Sequence, residues 1–244
     1  MLQQTQVGRV IEKYREFLKA FPTVKVLASA SLAEVLRVWQ GMGYNRLARY
    51  LRDAAQKIVS EHRGRVPKTE RDLRALPGIG HYTANAILTF AHNEPRVFIE
   101  TNIRRVFIHH FFQLGCFVPK LPAKLGNETP KLVSDKEILL LVEATLDTEN
   151  PREWYYALMD YGAHLPKVAR TNANTQSKHY AKQSAFKGSL RELRGKIIRM
   201  LDEKGKSILE VRRACDNDPR TKEALDALMK DELIKYEKRK YKLA

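Results

Sequence analysis

Cysteine is scarce in this 244-residue chain: Cys116 and Cys215 are the only two, far apart and with no CxxC or Cys/His grouping around either. That excludes a disulfide framework and a sequence-local metal site, and it fits a reduced cytosolic compartment. Long apolar runs are missing as well. Stretches such as Ile138 to Val142 and Phe107 to Phe112 fall far short of the ~20 residues a membrane-spanning helix needs. No secretory leader is read, because Met1 opens a polar, Gln-rich turn where a basic segment and then an apolar one are required. Acidic residues are few: 28 Asp and Glu stand against 44 Lys and Arg, a formal net charge of +16. Such a field attracts polyanions and speeds their approach. Nucleic acid is therefore the first partner to consider, the plain alternative being a basic, soluble protein.

Strand-like alternation is almost absent before the C-terminus, and helical periodicity takes its place. Val7, Val10, Ile11, Tyr14, Phe17 and Leu18 make one apolar stripe, and Leu32, Val35, Leu36 and Trp39 another. Further helices are predicted at 45–62, 69–76, 81–92, 100–112, 134–146 and 152–164, with Gly, Pro and Asn punctuation between them. These features predict an all-α globule. Between Asp160 and Glu192 no acidic residue occurs, while Lys167, Arg170, Lys178, Lys182 and Lys187 stand among polar residues; the span 165–187 reads as a basic, extended linker. Helices follow at Leu190 to Leu201, Ile208 to Ala214 and from Asp218-Pro219 to Met229. The alternation of Leu233, Tyr236, Tyr241 and Leu243 among Lys and Arg comes last. Three helices and a basic two-strand ribbon make a winged-helix pattern over 188–244, against the alternative of a small helical cap on the first domain, 1–164.

The strongest local signal is Leu76-Pro77-Gly78-Ile79-Gly80-His81-Tyr82-Thr83-Ala84, lying between a helix that ends near Leu76 and one that begins near His81. Pro77 ends the first helix, and the two glycines permit the tight turn. The first N–H groups of the second helix lack intrahelical partners and lie at the positive end of its dipole, so an anion such as a DNA phosphate is their natural ligand. A simple helix connector is the competing reading.

With Met1-Leu2-Gln3-Gln4-Thr5-Gln6-Val7, Gly41-Met42-Gly43-Tyr44-Asn45-Arg46-Leu47-Ala48-Arg49, Phe98-Ile99-Glu100-Thr101-Asn102-Ile103-Arg104-Arg105-Val106 and the weaker Asp160-Tyr161-Gly162-Ala163, the hairpin completes a set of five stretches. In this order they resemble the helix-hairpin-helix DNA glycosylases, specifically the adenine glycosylases that act opposite oxidised guanine. The resemblance runs from Met1 to about Ala163. It implies a bilobal helical fold, to which the pattern over 188–244 adds a C-terminal winged-helix-like module, with DNA kinked between the lobes and a target base flipped out because its glycosidic bond is unreachable inside the stack. It places Gln3 and Gln4 at the wedge that fills the vacated stack, where a polar helix start is the alternative. Tyr44, Arg46, Gly78, Gly80, His81 and Thr83 fall in the DNA-contacting segments.

Glu100 matches the family's catalytic Asp, a carboxylate that stabilises the oxocarbenium-like sugar left by adenine. An unperturbed Glu, of pKa about 4.3, is ionised at neutral pH; the alternative is a first-turn acid complementing a helix dipole. Asn102 matches the Asn that orients the carboxylate or the water. Tyr82 stands where bifunctional relatives carry a Schiff-base lysine, which implies hydrolysis without lyase chemistry.

The chain departs from the family in four ways. Asp becomes Glu at position 100, and a carboxylate displaced by about 1 Å can cost roughly a hundredfold in rate. The Glu that protonates the leaving base belongs just upstream of the segment matching Met1, so a longer reading frame is expected. After Ala163 no cysteine follows in the linker, so no cofactor is expected where many relatives bind an iron–sulfur cluster, and no metal. The family's C-terminal recognition domain is replaced. The leading expectation is thus a cluster-free, monofunctional adenine glycosylase of base-excision repair. It would be a monomer acting on double-stranded DNA with a mispaired or damaged base, cytoplasmic and nucleoid-associated, with no membrane partner. A thymine or uracil mismatch glycosylase and a catalytically impaired DNA-binding protein on the same scaffold are the competing readings.

Overall fold

A computed structural model describes residues 1, 7–114, 132–169, 171–182, 185–201 and 204–244. Gln3, Gln4 and Cys116 lie outside them. Helices appear where apolar periodicity and caps predict them, apart from the short, unexpected α2: α1 Val7–Ala20, α2 Val24–Ser29, α3 Leu32–Trp39, α4 Arg46–Glu61, α5 Glu70–Arg74 and α6 His81–His92. Then come α7 Thr101–Phe107, α8 Asp135–Thr145, α9 Pro151–Ala169, α10 Leu190–Met200, α11 Ile208–Ala214 and α12 Thr221–Lys230, with strands β1 Ile234–Glu237 and β2 Lys240–Leu243 closing the chain. Among the described residues no helix is long and apolar enough to cross a membrane.

The chain forms two compact units: residues 1–67, 76–78 and 183–244 make the first, and residues 68–75 and 79–182 the second. In the first, Phe17, Leu36 and Trp39 of the N-terminal helices share one apolar cluster with Ile197, Leu225 and Leu243 of the C-terminal segment. Burying such side chains contributes about 1.5–3 kcal/mol each. Residues 188–244, expected as a module apart, therefore share a core with α1–α4. Their internal order is the expected one, three helices followed by an antiparallel hairpin that pairs Ile234 with Leu243 and Tyr236 with Tyr241. Charge fastens the same face: Arg49 donates to the Asp231 carbonyl at 2.6 Å and pairs with Glu232 at 3.1 Å, and Arg194 pairs with the Asp231 carboxylate.

The second unit is built around Phe98, Ile103, Ile108, Ile138 and Tyr155. Tyr155 stacks on Phe98 with ring centroids 4.0 Å apart, and its hydroxyl donates to the Arg96 carbonyl while accepting from the Phe98 amide. Two expectations are corrected here. The predicted helix 100–112 begins one residue later, with Glu100 as its cap, and turns π-helical over Ile108–Gln113. Helix α9 continues five residues past its expected end at 164, through Pro166, so the span 165–187 is not wholly extended. Beyond it Ala173–Gln176 forms a 3-10 turn whose Ala173 and Asn174 are buried.

Candidate active site

The helical hairpin is assembled from both ends. Thr69 caps α5 by accepting from the Asp72 amide. The turn is held by Gly78, whose φ of +74° suits glycine and whose missing Cβ would lie 2.6 Å from Cβ of Tyr50. Gly80 plays a different part: it is the extended N-cap of α6, with no side-chain cap and open space where a Cβ would stand. His81 Nδ1 lies 2.8 Å from the Glu70 carboxylate, an α5–α6 clasp that holds Glu70 below its ordinary range. The Asn85 amide donates to the His81 carbonyl at 3.0 Å. Thr83 lies half-buried in the first turn of α6.

In the first unit, the Gly-Met-Gly-Tyr loop concentrates left-handed backbone: Gly41 at φ +89°, Gly43 at +73° and Tyr44 at +45°. Buried Met42 and a 2.9 Å bond from the Trp39 indole to the Gly43 carbonyl hold it there. A tyrosine in this region is strained, and such strain gathers at functional loops. Arg46 begins α4 with its side chain largely exposed, 3.6 Å from Asp231.

Tyr82, Glu100 and Asn102 come together in the second unit. Glu100 is the N-cap of α7: its Oε1 accepts from the Asn102 amide at 2.6 Å and from the Ile103 amide at 3.0 Å. The extra methylene of Glu is thereby folded back onto the helix start, while Oε2 accepts no bond among the described residues. The environment changes the expected titration. Burial pushes the Glu100 carboxyl above its usual range, and the two amides and the positive charges of Arg104 and Arg105 only partly oppose it. Tyr82, edge-on to Phe98 at 5.7 Å, is pushed up to about 12 by burial and then by the Glu100 charge, so it is a neutral phenol.

Asn102 acts on the carboxylate through its backbone amide; its side-chain Oδ1 is taken by Arg105 at 2.9 Å. Three supporting residues were missed at the level of sequence: Arg105, Pro166 and Asn174. Pro166 has no N–H for the carbonyl four residues earlier in α9. That carbonyl belongs to Gly162, and Arg105 donates to it at 2.6 Å. Gly162 must be glycine, since a Cβ there would meet the Asn102 carbonyl oxygen at 2.4 Å. A glycine four residues before a proline in a helix is thus the sequence sign of a crossing fastened by an arginine. Asn174, 5% exposed, donates to the Thr101 carbonyl at 3.0 Å, and its own Oδ1 is buried without a partner. Arg104 holds Asp135 with two bonds of 2.8 and 2.7 Å.

With two cysteines in all, and Cys215 buried at the end of α11 in the first unit, these residues do not fit a four-thiolate cluster. Where such a loop would follow α9, the chain sets Asn172–Lys178 against Val133 and Thr101, with the Val133 amide donating to the Gln176 carbonyl at 2.7 Å.

Residues 1–116 match the family described as HhH-GPD superfamily base excision DNA repair protein. The adenine DNA glycosylase of Rattus norvegicus is 36% identical over 199 residues, 80% of this chain and 36% of that protein. That of Homo sapiens is 35% identical over 164 residues, 67% of this chain and 28% of that protein. That of Mycolicibacterium smegmatis is 43% identical over 106 residues, 43% of this chain and 36% of that protein. The chain spans about a third of the length of these curated relatives. Among solved structures, a thermostable thymine-DNA glycosylase superposes with a TM-score of 0.54 at 22% identity, covering 73% of this chain and 79% of that one. Endonuclease III in a trapped covalent DNA intermediate gives 0.52 at 18% identity, covering 66% and 68%. These likenesses establish the fold.

Proposed function

Because the chain belongs to the HhH-GPD superfamily of base-excision DNA repair proteins, we propose that it is a monofunctional DNA N-glycosylase that hydrolyses the bond between adenine and deoxyribose at mispairs with guanine or 8-oxoguanine. The observation that carries this reading is the cap of α7. Glu100 is bound to backbone amides through one carboxylate oxygen only, in a half-buried setting that raises the energy of its charge. Such a carboxylate gains most when positive charge develops beside it, as it does on C1′ when the base departs. The nucleotide must leave the stack to reach it, and the uncapped start of α6, in the same unit as Glu100, is suited to gripping a phosphate of the backbone on which it turns. Tyr82, held protonated, offers no amine for a Schiff base, so water completes the reaction. Asn102, with Oδ1 committed to Arg105, keeps its amide donor for that water. The names of the relatives at 35–43% identity support adenine as the base.

The test is base release by the full-length protein from duplexes holding A opposite 8-oxoguanine, A opposite G and T opposite G, scored as alkali-labile sites. Release from the A-containing duplexes alone is the expected result. Release of thymine instead moves the assignment to mismatch repair of deaminated bases, and binding with no release leaves a DNA-binding protein on the same scaffold.

A further inference from the structure

The β1–β2 hairpin has features that the proposed chemistry does not use. Only its first rung, Ile234 opposite Leu243, is buried, and every residue from Lys235 to Glu237 and on to Lys240 is exposed. The turn consists of Lys238 and Arg239, both left-handed at φ +50° and +64°. A two-residue hairpin turn of this type favours Asn-Gly or Asp-Gly, so two long cations are held where they suit the backbone poorly. The next rung sets Lys235 directly opposite Lys242, a like-charge pair that destabilises an isolated ribbon. The single acid of the ribbon, Glu237, is already shared between these two lysines. Among the described residues no carboxylate pairs with Lys238, Arg239 or Lys240. Glu210 is bound by the Ser207 amide and hydroxyl, which hold its carboxyl below its usual range with a smaller contribution from Lys240 and Lys206. Exposed Tyr236 packs against Tyr241 at 4.7 Å across the same ribbon and stiffens it. The base is anchored by a two-way backbone bridge between Lys206 and Tyr241, 2.8 Å in each direction.

A rigid ribbon that carries Lys238, Arg239 and Lys240 at its exposed end, with no carboxylate paired to them among the described residues, is complementary to a polyanion. We propose that the β1–β2 hairpin is a second DNA contact, in which Lys238 and Arg239 bind the phosphate backbone of duplex DNA. This inference rests on the reading of the protein as one that acts on DNA, and it does not depend on base removal.

The test is a salt titration of the full chain on a fluorescein-labelled undamaged duplex, compared with the double variant Lys238→Asn/Arg239→Gly. That pair supplies the residues the turn favours, so the variant is expected to melt no lower than the parent. Its slope of log Kd against log salt should be shallower by about 1.8, two phosphate contacts at roughly 0.9 each. Lys238→Gln/Arg239→Gln, which keeps two side chains of similar length, should lose the same slope. An unchanged slope in folded variants overturns the proposal, as does a loss confined to single-stranded DNA. Base release is scored separately. A parent that shows the steeper slope but releases no base leaves the hairpin contact standing and sinks the glycosylase reading; a parent that does not bind duplex at all overturns both.

Discussion

Among the described residues three glutamates close capping boxes at helix starts, a fourth is itself a cap, and the environment of the fourth differs from the other three. At α3, α8 and α11, Glu34, Glu137 and Glu210 each close a capping box with the serine three residues before, accepting from its hydroxyl and its amide. Hydrogen bonds to those serines hold all three carboxyls below their usual range. At α7 the acid is itself the cap. It binds two amides through one oxygen, has no reciprocal partner, and is buried enough that its carboxyl rises. In the first three places ionisation and helix formation help each other. At Glu100 the fold opposes the charge, the arrangement expected of a group kept for chemistry. The alternative of a first-turn acid serving a dipole describes Glu34 well and Glu100 badly.

The most forceful way to break this comparison is to neutralise each acid. Glu100→Gln should lower single-turnover base release by at least about 10²–10³-fold, the range for removing one preorganised electrostatic stabiliser. Its thermal stability at neutral pH should not fall. A carboxyl whose folded pKa lies above its unfolded value contributes stability at low pH and loses it as pH rises through the folded value. The neutral amide avoids that loss and can still cap α7. Glu34→Ala should do the opposite, leaving base release intact and lowering the urea midpoint slightly, as the loss of half a capping box does. A Glu100→Gln protein that stays active, or unfolds more easily than Glu34→Ala, makes Glu100 one more helix cap.

The next effect separates the glycines. Gly162→Ala drives a Cβ into the Asn102 backbone, and overpacking of this kind costs about 1–3 kcal/mol. It should also slow base release by moving the α7 start that carries Glu100. Gly80→Ala adds a methyl to open space on extended backbone, so its urea midpoint should match the parent while duplex affinity falls if a phosphate approaches there. Equal stability of the two variants would remove Gly162 from the support of the site.

Much of this was legible before any coordinates. The hairpin and most of the element order follow from periodicity and punctuation, because helix starts and tight turns are encoded by a few residues at close spacing, whereas Tyr82, Glu100 and Asn102 are singled out only by the family resemblance of the stretches that carry them. Packing was harder to read. That 188–244 shares a core with α1–α4 depends on one apolar cluster that joins Phe17 and Trp39 to residues roughly 150 to 230 positions away, and no local pattern records it. Pro166 looks like a helix stop, and only the guanidinium of Arg105, 61 residues earlier, makes it tolerable. The upward shift of the Glu100 carboxyl was illegible for the same reason: burial is a tertiary property, and a motif carries none of it.

The smallest effect, and the one most specific to electrostatics, concerns Arg105. Its charge lowers the Glu100 carboxyl against the rise caused by burial, and it also fixes Asn102 and Gly162. If the ionised carboxylate is the active form, base release declines as pH falls through its pKa, and that acid limb lies above the range of an ordinary glutamate. Arg105→Gln removes the charge, raises the carboxyl further and should move the limb to higher pH. Arg105→Lys restores the charge without the planar fork, so its limb should lie nearer the parent's even where its plateau rate is lower. The measurement is the pH profile of single-turnover base release for all three proteins. Limbs that coincide while plateaus differ would reduce Arg105 to a fastening between α7 and α9; limbs ordered parent, Lys, Gln toward higher pH would place its charge in control of the Glu100 carboxyl.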